Sequence, residues 1–200
     1  GSTDPDILKE AWRKLFDESL PFVPIYAFCC DYLRRALQDN RIINEMGGRP
    51  LFGLFDFDEA YNEWNYLKQK DSWTLQCDDP YLGLRTENVA EKVHAFVLPV
   101  PRIAKVEAQV MKTPGSKEHF AHQAIMGIEH LFYSDHTARY FEARQLPGGG
   151  EIVTFSGNKT KFAREVVPTL DAATFEVFRP MFEFIKSKCP APAEAAVALV

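Results

Sequence analysis

The chain has 200 residues, 46% hydrophobic and 26% charged, a length at which one hydrophobic core forms. Sixteen Phe, seven Tyr and three Trp supply enough apolar bulk to exclude wholesale disorder. The formal charge of −5 is opposite in sign to a broad phosphate-tracking surface, so nucleic-acid binding is not favoured and is left only to a local basic patch.

Asp4-Pro5 opens the first predicted helix, in which Ile7, Leu8, Ala11, Trp12, Leu15 and Phe16 fall on one stripe. Pro24 is expected to start a second, with Ile25, Phe28, Cys29, Tyr32, Leu33, Ala36 and Leu37 inward, and to pair it with the first as an antiparallel helical hairpin. Gly47 to Pro50 breaks the pattern, and Leu51 to Phe55 is too short to assign. Asp56 and Glu59 form the capping box of a third helix carrying Phe57, Ala60, Tyr61, Trp64 and Leu67 on one face. From Asp71 to Asn88 the periodicity is lost, and the stretch reads as a long connection or conceals a strand near Trp73 to Leu75.

Val93 to Leu98 predicts a buried strand, and the alternation of Ala104, Val106, Ala108 and Val110 with polar residues predicts its hairpin partner. Ser116 is expected to cap a helix through Phe120, Ile125, Ile128, Leu131 and Phe132. Ala138 to Leu146 and Glu151 to Ser156 flank Pro147-Gly148-Gly149-Gly150 as a second hairpin. The last helix, from Thr169 or Asp171, presents Phe175, Phe178, Phe182 and Ile185 and is expected to kink at Pro180. The predicted fold class is therefore α+β: an antiparallel sheet of about four strands in two hairpins, helices on one face and an N-terminal helical hairpin, in one domain over 3–188. Residues 189–200 read as a flexible Ala/Pro-rich tail or linker.

Cys29, Cys30, Cys77 and Cys189 show neither CxxC nor Cys/His ligand spacing and read as free thiols of a reducing compartment. With no apolar run of membrane-spanning length, the expected location is intracellular, cytoplasmic or nuclear, with no membrane partner. Gly1-Ser2 resembles the remnant of a cleaved tag, so the chain is expected to be part of a larger protein.

Three clusters carry candidate chemistry. His119, His122, Glu129 and His130 are residue types that divalent metals prefer, although the helical motif would need histidines at i and i+4, whereas His122 and His130 would lie about 12 Å apart along a helix axis. Lys159, Lys161 and Arg164 form a basic stretch suited to a phosphate or an acidic partner, without P-loop spacing. Tyr61, Trp64, Trp73, Asp78, Asp79 and Tyr81 combine aromatic anchors with an acidic rim, as partner-binding surfaces do. Each has an ordinary alternative in a solvated histidine, a charged loop or an amphipathic core stripe.

Ser134-Asp135-His136 lacks the separation of a hydrolytic triad, and no Rossmann, P-loop, kinase, zinc-finger, RRM, α/β-hydrolase or thioredoxin signature is present. The leading expectation is thus a noncatalytic binding or regulatory domain acting through protein–protein contacts and needing no cofactor. A metal-assisted hydrolase or nuclease, built on the His119 to His136 segment with Glu107 or Glu142, is the alternative, and binding of nucleic acid through the basic patch is the third.

Overall fold

The computed structural model describes residues 1–147 and 149–189, so the predicted tail from Pro190 onward lies outside the described residues. The first helix, α1 (Asp4–Leu15), has Pro5 in its first turn, Asp4 and Asp6 at its positive end and Arg13 and Lys14 at its negative end. It buries Ile7, Ala11 and Trp12. Two short helices follow, α2 (Cys30–Ala36) and α3 (Asn40–Glu45), the latter capped by Asp39, whose side chain accepts from the Arg41 N–H at 2.9 Å.

Next come β1 (Leu51–Phe55), α4 (Tyr61–Lys68), β2 (Thr74–Cys77), β3 (Arg85–Asn88), β4 (Val93–Val97) and α5 (Ala104–Val110). Three 3₁₀ turns, Ala121–Gln123, Ile128–Phe132 and Ala138–Tyr140, lead into the hairpin of β5 (Phe141–Gln145) and β6 (Glu151–Phe155). The short helix α6 (Lys159–Lys161) widens to a π turn over Phe162–Val166 and tightens to 3₁₀ over Val167–Thr169. A 3₁₀ stretch, Ala172–Phe178, then feeds α7 (Arg179–Lys188). No helix among the described residues is long and apolar enough to cross a membrane.

The chain is mixed helix and strand, but the predicted sheet needs correction. The four-stranded sheet has the order β1-β4-β3-β2, with β1 parallel to β4 and the other neighbours antiparallel, and β5–β6 forms a separate two-stranded sheet. The error traces to Ala104–Val110, which is helix α5 and not the hairpin partner of β4. Seven alternating residues fit either period, and burial of Val106, Gln109 and Val110 at helical spacing, with helix-favouring alanines on the wet side, decides it. Freed of that partner, β4 takes the centre of the sheet between β1 and β3, where all five of its residues are buried.

The N-terminal helical hairpin is also absent. The packing of α1 is against the C-terminal segments that include Ala172–Phe178, whereas α2 packs on α4 and β1. Gly53 makes the second contact possible, because a β-carbon there would fall 2.5 Å from Leu37 Cδ1, the side chain that seats the end of α2. The helix expected from Ser116 gives way to the isolated Met111–His119 bridge and 3₁₀ turns. Pro180 does not kink the last helix; it occupies the first turn of α7, where its missing N–H costs nothing.

A single cluster of buried side chains runs from Ile7 and Trp12 through Trp64 and Phe96 to Phe132, Phe178 and Phe182. The outer edge of β6 is closed by side chains. The Gln109 carboxamide accepts from Val153 N–H at 2.9 Å and donates to Val153 O at 3.1 Å, so it substitutes for a neighbouring strand.

Candidate functional site

Past α1 the chain is exposed from Asp17 to Ser19 and packs back against the core through Leu20 and the half-buried Phe22, whose ring meets Trp12 edge-on at 5.7 Å and Phe182 at 5.9 Å. It then turns outward. Val23 and Ile25 are each 81% exposed and Phe28 is 73% exposed, with the less exposed Tyr26 and Tyr32 beside them. Phe28 sits at φ 58°, in the left-handed region that costs an L-residue about 1–2 kcal/mol. The Tyr26 hydroxyl donates to Phe28 O at 2.8 Å and Cys29 N–H to Ala27 O at 2.6 Å, which closes the turn on both sides. The rings of Tyr26 and Tyr32 stand 5.2 Å and 6.0 Å from that of Phe28, so an aromatic cluster forms on the outside of the molecule.

The surface continues into α2 and α3, neither of which buries a residue. Between them lies a shallow groove of about 720 Å³, floored by Tyr32, Ala36, Ile42 and Met46 and rimmed by Arg35, Asp39, Arg41 and Glu45. Arg34 anchors the region from below: it pairs with Asp31 and with Glu63 of α4, each at 2.5 Å, and lies 4.8 Å over the Tyr66 ring. The helical spacing of Ile25, Phe28 and Tyr32 led sequence reasoning to place these side chains inside a helix from Pro24. The helix in fact begins at Cys30, and Pro21 and Pro24, by fixing φ on either side of Phe22 and Val23, were the available signal of an extended approach.

The aromatic residues predicted to anchor a partner lie elsewhere. Tyr61, Trp64 and Trp73 are buried, and the Trp64 indole N–H donates to Ala95 O at 3.0 Å in the middle of the sheet. The spacing of Tyr61 and Trp64 is the inner stripe of α4, and Trp73 is buried in the turn before β2, so the three face the core and not the surface. Tyr81 is half-buried and committed to a local network in which its hydroxyl donates to Glu107 Oε1 at 2.5 Å, accepts from Gly115 N–H at 2.7 Å and lies under Arg102, 3.3 Å from the ring centre. Asp79 accepts from Tyr81 N–H at 2.9 Å and the exposed Asp78 pairs with Lys117 at 2.6 Å.

The histidine segment does not converge. The His130 imidazole is buried, accepts from Gly127 N–H at 3.1 Å through Nδ1 and donates to Val153 O at 3.0 Å through Nε2, so both nitrogens are engaged and burial holds its pKa below the usual histidine value. His119 accepts from Ala121 N–H at 3.1 Å and packs edge-on against Phe57 and Tyr61, while His122 is exposed. Glu129, with 3% of its side chain accessible, pairs with Lys159 Nζ at 2.8 Å. Among the described residues no group of three or more His, Cys, Asp or Glu side chains is placed to hold an ion. In the basic stretch, Lys159 is bound to Glu129 and Arg164 to Asp6, each at 2.8 Å, and of its three cations Lys161 has no ion-pair partner among the described residues.

Sequence reasoning also passed over a group of carboxylates in which Glu129 is buried and Asp4, Asp56 and Asp58 are half-buried. The mutual hydrogen bonds of Phe57 and Met126, 2.8 Å and 3.0 Å, hold Asp56 and Asp58 against the turn that carries Glu129. A β-carbon on Gly127 would lie 3.2 Å from Glu129 Oε2 and 3.8 Å from Asp56 Oδ1, so the two carboxylates face one small space. Asp4 joins from α1 and pairs with the Gly1 ammonium. Loss of solvent, then the negative charges of Asp4 and Asp58, push the Asp56 carboxyl up to about 7, and burial raises Asp4 and Asp58 as well. These residues are scattered over 125 positions of sequence (129 − 4), so no local motif could announce them.

Comparison with models of protein families, with curated proteins and with solved structures gives no match to this chain.

Proposed function

We propose that the chain is a protein-recognition domain whose docking surface is the segment from Val23 through α3, and that its ligand is an apolar-faced helix of a partner protein with acidic flanks. The observation that carries this reading is Phe28, which is displayed to solvent in a conformation that costs energy, with Val23, Ile25 and Tyr32 exposed around it. A contiguous apolar surface of this kind is a marker of association, and strain persists at a position when its neighbours impose it. The groove supports a helical ligand because its apolar floor is bounded on both sides by short helices, the form in which amphipathic helices are taken up. Within residues 22–50, four arginines (34, 35, 41 and 49) stand against three acids (31, 39 and 45), while the whole chain is at −5, so an acidic ligand meets less repulsion here than over the chain as a whole.

Affinity capture from a native extract tests the proposal, using the wild type, the triple variant Val23→Ser/Ile25→Ser/Phe28→Ser and a control, Asp78→Lys/Asp79→Lys, on the opposite candidate. A partner held by the wild type and the control but lost from the triple variant supports the assignment. Retention by the triple variant would remove it.

A further inference from the structure

The carboxylate group at the end of β1 suggests a regulatory property that does not depend on the docking reading. Asp4 comes from α1, Asp56 and Asp58 from the connection between β1 and α4, Glu129 from the Ile128–Phe132 turn, and Lys159 from α6. The charged groups facing Asp56 are Asp4, Asp58, Glu129 and the Gly1 ammonium, with Lys159 bound to Glu129 and His130 facing Asp58. With every carboxyl ionised, four negative charges meet two ammonium groups in one small space in which Glu129 is buried and Asp4, Asp56 and Asp58 are half-buried. We propose that this cluster is a proton-operated latch on α1: with Asp56 protonated the first turn of α1 stays docked, and with Asp56 ionised that turn is pushed away.

The choice of the moving part follows from how each group is held. Glu129 lies on a turn fixed by both nitrogens of His130, and its carboxylate is bound to Lys159. Asp58 is held in the turn ahead of α4 by accepting from Ala60 N–H at 2.8 Å, and Asp56 follows directly on β1 and precedes the Phe57–Met126 bridge. Asp4 alone lies in the first turn of a helix, where backbone hydrogen bonds fray most readily, and its Oδ1 is buried without a hydrogen-bond donor among the described residues. Beyond Asp4 that turn is tied to the body by the Asp6–Arg164 pair, which is partly exposed.

The direction of the pH effect is fixed. An unfolded aspartate ionises near pH ~3.9, whereas Asp56 in the fold holds its proton to about pH 7. Across that window the folded chain binds more protons than the unfolded one, so folding weakens as pH rises, by up to about tenfold in the equilibrium constant per pH unit. Above the upper limit both states have lost the proton and the dependence ends.

The test combines urea unfolding of the whole chain from pH 5 to 8.5 with amide exchange in α1, corrected for the intrinsic rate, for the wild type and for Asp56→Asn. Expected are a falling folding constant between pH 5 and 7 in the wild type, a flatter profile in the variant, and faster exchange of the first α1 turn at pH 8 than at pH 6 in the wild type alone. Equal slopes in the two proteins, or α1 exchange that ignores pH in the wild type, would overturn the latch. Titration of the wild-type Asp56 carboxyl carbon by NMR gives a reading even if the variant does not fold: a midpoint near 7 supports the proposal and one near 4 refutes it.

Discussion

The sheet with its C-terminal cover and the segment from residue 17 to residue 49 are built from similar side chains used in opposite ways. Around Phe132, the rings of Phe162, Phe175 and Phe178 pack within 6.3 Å and every one is buried. In residues 20–46 equally apolar side chains occur at helical spacing, yet Leu37 is the sole buried one. An apolar pattern therefore marks a surface that avoids water without saying what covers it. In the first region the chain covers itself; in the second it leaves Val23, Ile25, Phe28 and Tyr32 exposed.

That contrast sets the sizes of mutational effects. Trp64→Ala removes a fully buried ring and its bond to Ala95 O, and should lower unfolding free energy by about 3–5 kcal/mol in urea titration. A loss under about 1 kcal/mol would place Trp64 outside the core. Gln109→Leu keeps the apolar volume but leaves Val153 N–H and the Ile125 carbonyl without their side-chain partner. It should cost about 1–3 kcal/mol, with faster amide exchange at Val153 as the specific sign. Phe28→Gly moves the other way. Relief of the left-handed strain, less the entropy of a flexible glycine, should raise stability by up to about 1 kcal/mol while partner capture falls. Stability and binding changing in opposite directions at one residue would be the clearest mark of a displayed side chain.

Much of the core was legible before any coordinates. The inward faces of α1 and α4, the burial of β4, the β5–β6 hairpin and the stripe Phe175, Phe178, Phe182 and Ile185 are all read from period and composition, because there local pattern and tertiary packing agree. Failures arose where a short pattern fits two periods, as in α5, or where spacing was taken to mean burial, as at Ile25 and Phe28. The parallel pairing of β1 with β4 depends on side chains far apart in sequence, and so does the meeting of Asp4, Asp56 and Glu129; periodicity within a window cannot report either. The aromatic anchors expected at Trp64 and Trp73 were real apolar anchors, but of the core.

The least disruptive change is also the most decisive. Val23→Ser/Ile25→Ser/Phe28→Ser replaces three large apolar side chains, which in a core would cost several kcal/mol together, about 2–5 for each large truncation. Urea unfolding of this variant beside the wild type tests whether the segment is surface or core. The docking surface described above predicts a midpoint and slope unchanged to within about 0.5 kcal/mol per site. A loss of several kcal/mol would mean that these side chains stabilise the fold and are not held out for a partner.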